Sequence, residues 1–335
     1  MSPTQQTTSL ERPSILDGTR RHVLDMDDFS AEELDLVLRT TDEMREVLGQ
    51  DVKKLTTLRG KVVITLFYEA STRTRVSFEE AGKILSADVI NVSGSGSSVE
   101  KGESLLNTAL TLQATGTDLL VVRHAHSGAP YFMAKYLDKT GVVNAGDGVH
   151  AHPTQALLDI YTMKRHLGEL EGRKVVIVGD VLHSRVARSD LWGLTLAGAR
   201  VVLCGPPTLL PQELLRGDHR QGGHPLASVE VETSVDRAVE GADVVMPLRL
   251  QLERQHGGFL PTLREYSRMY GITQERLDRA KPAALLMHPG PMNEGVEISP
   301  EVAHGAQSVI EEQVHNGVAV RMALLKLLLT QKGEG

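Results

Sequence analysis

Residues 62–80, with the sequence VVITLFYEASTRTRVSFEE, constrain this chain more than any other stretch. The apolar and β-branched run from Val62 to Phe67 predicts a buried strand, and a helical pattern begins at Val76. The Ser-Thr-Arg-Thr-Arg loop at 71–75 lies between them. A hydroxyl-rich turn before a helix N-terminus presents backbone N–H groups to an anion, and arginines add donors suited to phosphate or carboxylate. An ordinary helix cap with solvated arginines is the alternative, but the density of donors favours an oxyanion site.

Length and composition narrow the class of protein. A chain of 335 residues with 41% hydrophobic and 24% charged content predicts a soluble protein of about two domains. A net charge of −7 argues against a nucleic-acid partner, because duplex binding needs clustered positive charge. The single cysteine, Cys204, ends a buried-strand pattern and cannot form an internal disulfide, so we expect a cytoplasmic protein. No apolar run approaches the roughly 20 residues that cross a bilayer, which argues against a membrane partner.

Strands and helices alternate along the chain in two runs. The first begins at Val62, and the second begins with a strand at Lys174 after a long helix that starts near His152. Regular alternation of this kind is typical of parallel sheets covered on both faces. The sequence therefore predicts an α/β fold of two doubly wound parallel-sheet domains joined by a helix. A last helix is predicted from about Ser308 to Thr330.

Ligands of such sheets bind beyond the carboxyl ends of the strands, so side chains that bind substrates are expected at those positions. After the 71–75 loop, they carry Ser97, Lys101, Arg123, His152, Gln155, Arg185, Arg249, Gln251 and the segment 288–291. Any single arginine among them is best explained as solvated surface. Together they predict a cationic cleft without paired carboxylates, suited to small polyanionic substrates. This pattern alone indicates a transferase or ligase that acts on phosphate and carboxylate groups.

Other site classes find no support in the sequence. The chain has no GxxxxGK[ST] loop, no HExxH, no GxGxxG after a strand and no GxSxG elbow. The histidines at 124, 126, 150 and 152 lack a second ligand cluster, so we expect no metal site and no cofactor. The glycine-serine segment at 93–98 is either a phosphate loop or a mobile loop. Asp147 and Asp180 are interpreted as turn or capping residues.

Six longer segments, in order along the chain, resemble one known family. They are STRTRVSFE (71–79), VVRHAHSGAP (121–130), NAGDGVHAHPTQALLD (144–159), VGDVLHSRVARS (178–189), DVVMPLRLQ (243–251) and HPGPMNEGVEI (288–298). The chain closely resembles the aspartate/ornithine carbamoyltransferase family from about residue 14 onward. We therefore expect a carbamoyl phosphate-binding domain at 14–153 plus 303–330, with the C-terminal helix packing back on it, and an aspartate-binding domain at 154–302. Residues 1–13 are predicted to be a disordered lead-in.

Two features favour the aspartate branch of this family. Arg249-Leu250-Gln251 is similar to its aspartate-binding Arg-x-Gln element, where the ornithine branch has a Ser-Met-Gly type loop. The ornithine branch also has His-Cys-Leu-Pro where this chain has His288-Pro289-Gly290-Pro291. The resemblance implies transfer of the carbamoyl group from carbamoyl phosphate to L-aspartate, in pyrimidine biosynthesis. A catalytically inactive relative that serves as an assembly scaffold is the alternative of another class.

Each site residue is carried over from the family motifs. The resemblance implies that carbamoyl phosphate is bound by Ser71, Thr72, Arg73, Thr74, Ser97, Arg123, His152, Gln155 and Pro291. It implies that aspartate is bound by Lys101, Arg185, Arg249, Gln251 and Gly290. The catalytic residues are predicted to be Arg73, Thr74, Lys101, Arg123 and His152. Arg75 is expected to brace the loop instead, and Pro291 matches a cis-proline position.

The resemblance also implies how the chain assembles. Ser97 and Lys101 match residues that the family donates from a neighbouring subunit, which predicts a homotrimer with shared active sites. Regulatory or dihydroorotase-like chains are further partners of the family. One residue departs from the pattern, because many bacterial relatives have a basic residue where this chain has Glu294. That difference puts a loop-closing ion pair in doubt.

Overall fold

The computed structural model describes residues 12–94, 103–220, 224–251 and 262–330. They form two five-stranded sheets in which all paired strands are parallel, with helices on both faces. The predicted α/β class with two doubly wound sheets is therefore confirmed. Most of the predicted lead-in, residues 1–11, lies outside the described residues.

The first sheet has the strand order β1-β5-β4-β2-β3. Its strands are β1 (His22–Val23), β2 (Val62–Phe67), β3 (Asp88–Ser93), β4 (Leu119–His124) and β5 (Gly141–Asp147). Its helices are α1 (Ala31–Leu48), α2 (Thr72–Ile84), α3 (Leu105–Ala114) and α4 (Ala129–Tyr136). The order reverses between β2 and β4, so a crevice opens at their carboxyl ends.

The second sheet has the order β10-β9-β6-β7-β8, which reverses between β6 and β9. Its strands are β6 (Lys174–Val178), β7 (Arg200–Cys204), β8 (Glu230–Glu232), β9 (Val244–Pro247) and β10 (Leu285–Leu286). Its helices are α6 (Arg185–Leu196), α7 (Gln212–Arg216), α8 (Val235–Val239), α9 (Leu263–Tyr270), α10 (Gln274–Leu277) and α11 (Pro300–Ala303). Helix α7 lies in a stretch rich in proline and glycine, between Gly205 and Pro225.

Two long helices connect the sheets. Helix α5 (Pro153–Leu167) leads from β5 to β6, and its residues 153–163 are all buried. Helix α12 (Ile310–Leu329) follows the second sheet and packs against α1, α2 and α5. The C-terminal helix therefore returns to the first sheet, as predicted. One hydrophobic core includes residues of both helices and of both sheets.

The start of α2 corrects the sequence prediction. The helix begins at Thr72, whereas the polar residues up to Arg75 had been predicted to form a loop before Val76. Polar side chains are tolerated in this turn because they face a cavity and solvent, not the core. The strand before it and the anion-binding direction of the turn are unaffected by this difference.

Candidate active site

One cavity of about 480 Å³ is lined by segments that follow strands of both sheets. Among the described residues its lining includes Ser71, Thr72, Arg73, Thr74, Arg123, His152, Gln155, Arg185, Arg249, Gln251, Gly290 and Pro291. All the predicted site residues except Ser97 and Lys101 thus lie around one space. Ser97 and Lys101 fall in residues 95–102, outside the described part of the chain.

The N-terminus of α2 supplies the hydrogen-bond donors of the cavity. Ser71 is the residue before the helix, has extended geometry, and makes no side-chain bond to the helix backbone. The first N–H groups of a helix have no partner within it, and the helix dipole favours negative charge there. Thr74 is buried behind them, whereas Arg75 is exposed and does not line the cavity. This turn can therefore hold a phosphate without surrendering any capping bond.

Arg73 extends from this turn toward the second sheet. Burial and the nearby positive charge of Arg249 both lower its pKa. Gly290 lies against its guanidinium, because a Cβ at residue 290 would come within 2.9 Å of Arg73 Cζ. Gly290 has φ of +63°, and its bond to Pro291 is cis, as the resemblance implied. Arg73 and Arg249 lie near each other, so an anion bound between them would reduce the repulsion of their charges.

Arg123 lies at the end of β4 and is held by contacts on two sides. Its Nη1 donates to the Ala145 carbonyl at 3.1 Å, and its Nε lies 3.2 Å from Glu69 Oε2. Gly146 has φ of +117°, and a Cβ there would lie 3.0 Å from Arg123 Nη1 and 2.8 Å from Arg185 Cζ. A side chain at residue 146 would therefore displace both guanidinium groups.

His152 and Gln155 come from the start of α5. His152 is the residue before the helix, with Pro153 at the first helical position as predicted, and its backbone N–H donates to Ser189 Oγ at 2.9 Å. Gln155 Nε2 donates to Asp159 Oδ1 at 3.0 Å. Both side chains are buried, so their orientation is set by packing before any ligand arrives.

The second sheet contributes Arg185, Arg249 and Gln251. Arg185 is the first residue of α6, is buried, and donates from Nη1 to the Gly148 carbonyl at 3.1 Å. Arg249 Nη2 donates to Gln251 Oε1 at 3.2 Å, which aligns the two side chains after β9. The Gln251 backbone N–H donates to Asp180 Oδ2 at 3.2 Å. Asp180 therefore braces this turn, in agreement with its interpretation as a turn residue.

Glu69 was missed by the sequence prediction. It lines the cavity, and its Oε2 lies 3.2 Å from Arg123 Nε and 2.7 Å from Arg185 Nη2. The predicted cleft without paired carboxylates did not include this residue, which is the one carboxylate among the described lining residues. A lone acidic residue after a strand has no recognisable pattern, and its pairing with an arginine 116 positions away appears only in the folded chain.

Helix α12 adds Gln313 and Arg321 to the lining, which the sequence prediction also missed. Gln313 Nε2 donates to Asp159 Oδ1 at 2.7 Å and its Oε1 accepts the His288 backbone N–H at 2.9 Å. Arg321 is fully buried over the Phe78 ring, at 5.1 Å from its centroid, and burial lowers its pKa to about 10. Polar residues on an otherwise apolar helix were the signal that could have indicated them.

The segment after β10 is braced internally. His288 Nδ1 accepts the Gly290 N–H at 2.8 Å, and its Nε2 lies 3.2 Å from Glu297 Oε1, with both side chains fully buried. Further along, Glu294 lies on the surface with its Oε1 3.3 Å from His304 Nε2. At this departure from the family pattern, Glu294 pairs with a histidine ten residues further along the chain.

No group of three or more histidine, cysteine, aspartate or glutamate side chains among the described residues is arranged to hold a metal ion. Across the same ranges, no helix combines the length and apolar character needed to cross a bilayer.

Comparison with known proteins identifies the family. Residues 21–165 match "Aspartate/ornithine carbamoyltransferase, carbamoyl-P binding domain", and residues 171–328 match the "Asp/Orn binding domain" of the same family. The chain is 60% identical over 307 residues to an aspartate carbamoyltransferase catalytic subunit of Roseiflexus castenholzii, covering 91% of this chain and 94% of that one. A protein of the same name from Heliobacterium modesticaldum is 55% identical over 315 residues, covering 94% and 97%.

Solved structures agree with these matches. Aspartate transcarbamoylase from Trypanosoma cruzi in complex with carbamoyl phosphate has a TM-score of 0.83 at 28% identity, covering 95% of this chain and 99% of that one. Ornithine carbamoyltransferase from Pyrococcus furiosus has a TM-score of 0.81 at 28% identity, covering 94% and 98%. With both domain descriptions matched in order and the fold shared, this chain belongs to the aspartate/ornithine carbamoyltransferase family.

Proposed function

We propose that this chain transfers the carbamoyl group from carbamoyl phosphate to the amine of L-aspartate, giving N-carbamoyl-L-aspartate and phosphate. The cavity itself is the observation that supports this proposal most directly. The N-terminus of α2 and five arginines of the described residues line it, namely Arg73, Arg123, Arg185, Arg249 and Arg321. Glu69 is the one carboxylate among its described lining residues. Two anionic substrates repel each other, and a cationic cleft of this kind offsets that repulsion.

The phosphate is proposed to bind at the start of α2. Ser71, Thr72 and Thr74 offer hydroxyls, the helix offers its free N–H groups, and Arg73 offers a guanidinium. Ser97 and Lys101 are proposed to complete this side from a neighbouring subunit. As phosphate departs, its negative charge grows, so Arg73 and Lys101 would stabilise it most at that point.

The carbamoyl carbonyl is proposed to face Arg123, His152 and Thr74. The aspartate nitrogen attacks the carbamoyl carbon, and the carbonyl electron pair moves onto oxygen to give a tetrahedral oxyanion. When the oxyanion collapses, its electron pair re-forms the C=O bond and the C–O bond to phosphate breaks. Phosphate leaves with the electrons of that broken bond, and it can accept the amine proton. Donors placed at the developing oxyanion lower the barrier, and no protein nucleophile is needed. Gln155 and the Gly290–Pro291 segment would hold the carbamoyl amide side.

Aspartate is proposed to bind on the second-sheet side. Arg185, Arg249 and Gln251 would hold its two carboxylates, with Gly290 and Lys101 nearby. The alignment of Arg249 with Gln251 at 3.2 Å supports a fork that recognises a carboxylate. The proposed domain division, 14–153 plus 303–330 against 154–302, places the substrates on opposite sides of the joint. Closure about α5 would then bring amine and carbonyl together.

A product assay tests this function. The protein is supplied with carbamoyl phosphate and either L-aspartate or L-ornithine, and N-carbamoyl-L-aspartate, citrulline and phosphate are measured. We expect N-carbamoyl-L-aspartate and phosphate in equal amounts, and negligible citrulline. Citrulline as the main product would assign the chain to the ornithine branch, and an absence of turnover would favour the inactive scaffold.

Assembly into a homotrimer with shared sites is part of the proposal. Helix α3 supports it, because this apolar helix, LLNTALTLQA, follows the 95–102 segment and has only Ala109 buried in the single chain. Mixing Lys101→Ala chains with Arg73→Ala chains should restore some activity, since one site in the mixed trimer can keep both residues. No recovery would argue that each chain builds its own site.

The proposal also covers the location of the protein and its further partners. A cytoplasmic location is supported by Cys204, which is buried and whose pKa burial raises to about 12, so it is neither exposed nor reactive. Regulatory or dihydroorotase-like chains remain the proposed partners beyond the trimer. Sizing the native complex from its own cells would identify them.

A further inference from the structure

His150 lies behind the cavity, between two buried carboxyl groups. Its Nδ1 is 3.2 Å from Asp147 Oδ2, and its Nε2 is 3.7 Å from Asp25 Oδ2. The carboxylate side chains are 0% and 6% exposed, whereas the imidazole is 39% exposed. Asp147 lies in the same loop as His150, but Asp25 belongs to the segment after β1. The contact with Asp147 is short enough for a hydrogen bond, whereas the contact with Asp25 is an ion-pair distance. The imidazole attracts both carboxylates as a cation only when both of its nitrogens carry protons.

The two carboxylates hold the backbone N–H groups of Ala151 and His152, the first directly and the second through Ser189. Asp147 Oδ1 accepts the N–H of Ala151 at 3.0 Å. Asp25 Oδ1 accepts Ser189 Oγ at 3.0 Å, and Ser189 Oγ in turn accepts the His152 N–H at 2.9 Å. The position of His152 therefore depends on where both carboxylates lie.

The same loop also fixes a second arginine of the cavity. The Gly148 carbonyl accepts Arg185 Nη1 at 3.1 Å, and the Gly148 N–H donates to the His124 carbonyl at 2.9 Å. A Cβ at Gly148 would come within 2.5 Å of Ser127 Oγ, so the loop has no space to shift in that direction. A change at His150 would thus reach both His152 and Arg185 through short, packed backbone.

We propose that His150 is a positioning residue for carbamoyl transfer. Its protonated imidazole joins Asp147 to Asp25 and so fixes the loop from 147 to 152, which keeps His152 and Arg185 in place. This inference rests on the proposed function, because it assigns a role within that site. His150 itself is not among the residues that line the cavity.

The charges around the imidazole favour this protonated form. The hydrogen bond to Asp147 is the largest influence and raises the pKa of His150, burial and Arg188 of α6 lower it, and Asp25 raises it. Tyr131 of α4 packs edge-on against the ring at 5.6 Å between centroids. A histidine with a raised pKa keeps its positive charge at low pH and loses it as the pH rises through the folded value.

Asp25 sets the acidic limit of the same contact. Burial is the main cause that raises its pKa to about 6, and the neighbouring Asp27 raises it further, against the N–H of Met26 and the charge of His150. Asp25 is therefore ionised above that pH and protonated below it. Asp25 and His150 are both charged only between the pKa of Asp25 and the raised pKa of His150. The contribution of their contact to the rate should therefore depend on pH as a bell-shaped curve.

The test compares His150→Asn with His126→Asn, a control at an exposed histidine in the preceding loop. Both are measured from about pH 5.5 to about pH 9 for kcat and KM. We expect His150→Asn to lower kcat about ten- to a hundred-fold near the optimum and to remove the alkaline limb that belongs to His150. Asp25→Asn should remove the acidic limb, and the double variant should be no worse than either single one. Unchanged profiles in His150→Asn would overturn the proposal.

A second readout does not depend on activity. Imidazole carbons are labelled with ¹³C, and the His150 resonance and the His152 backbone amide are followed through the same titration. We expect the His152 amide shift to follow the ionisation of His150, and Asp25→Asn to weaken that link, because only the route through Asp147 then remains. If the two signals move independently, the positioning role is wrong even in an active enzyme. If the parent makes no N-carbamoyl-L-aspartate but the signals remain linked, the proposed function fails and the positioning contact stands.

Discussion

Arg73 and Arg75 lie in the same helical turn but in different surroundings. Both side chains are exposed, but Arg73 lines the cavity beside Arg249 and Arg75 does not. We expect Arg73→Ala to lower kcat about 10²–10³-fold, the usual loss for one donor at a developing charge. Arg75→Ala is the matched control and should stay close to the parent. Steady-state kinetics with both substrates measure the contrast, and equal losses in the two variants would contradict the assignment of Arg73.

Glu69 offers a second contrast at the scale of single residues. It bridges Arg123 and Arg185, so it neutralises part of the charge that holds the substrates and also fixes both guanidinium groups. Glu69→Gln keeps the size but weakens two charge-assisted contacts, each worth about 1.5–3 kcal/mol. We expect KM for aspartate to rise about ten-fold or more, since Arg185 loses its support. An unchanged KM would mean that Glu69 is only a structural counter-ion.

At the scale of elements, the residues that precede two helices allow stability and ligand binding to be tested separately. Ser30 caps α1, because its Oγ accepts the Glu33 N–H at 3.1 Å and its own N–H donates to Glu33 Oε2 at 3.0 Å. Ser71 precedes α2 without any such bond. Ser30→Ala should therefore lower the free energy of unfolding by about 1 kcal/mol and leave kinetics unchanged.

Ser71→Ala should show the opposite pattern. We expect no loss of thermal stability but a weaker affinity for carbamoyl phosphate, measured by calorimetry. A stability loss comparable to that of Ser30→Ala would indicate that Ser71 caps the helix after all, and would remove it from the phosphate site.

The elements themselves were largely predictable, because periodicity reports burial. The strand Val62–Phe67 was predicted at the bounds that the structure has, and the strand predicted to begin at Lys174 begins there. The N-terminus of α2 was placed four residues late, because Ser-Thr-Arg-Thr-Arg carries no apolar periodicity. Helix α7, from Gln212 to Arg216, was not predicted. It is only five residues long and none of them is buried, so it is too short to show a helical period in the sequence.

At the scale of the whole molecule, the joint between α5 and α6 holds an unusual pair of acids. Asp190 of α6 is fully buried, and neither carboxyl oxygen has a hydrogen-bond partner among the described residues. Burial first, and Asp159 second, raise its pKa well above the ordinary range. Burial likewise raises the pKa of Asp159 to about 7. The folded chain therefore holds a proton at Asp190 that the unfolded chain releases above about pH 3.9.

The sign of the effect follows from that proton. The contribution of Asp190 to stability is complete below the unfolded pKa and is lost as the pH rises toward the folded pKa, by about 1.4 kcal/mol per pH unit. Asp190→Asn removes the ionisation, so its melting temperature should exceed that of the parent by more at higher pH. Asp35→Asn, with a half-exposed carboxylate on α1, is the control. A constant difference across pH would show that Asp190 is not protonated in the folded chain.

Long-range pairs are the part that the sequence could not predict. The strand-end rule places Arg123, Arg185 and Arg249 near one cleft, but it does not say which carboxylate or carbonyl orients each of them. Glu69 with Arg185, and Gln313 with Asp159, join positions more than 100 residues apart. Such contacts depend on how α12 and the two sheets pack, and no local pattern records that packing.

The central claim is that this one cavity selects aspartate as the acceptor of the carbamoyl group. The most direct measurement supplies ¹³C-labelled carbamoyl phosphate with equal concentrations of L-aspartate and L-ornithine and follows the labelled products by NMR. The account predicts that the label appears in N-carbamoyl-L-aspartate, with an equal amount of phosphate, and that Arg249→Ala removes this product without producing citrulline. Labelled citrulline from the parent protein would contradict it.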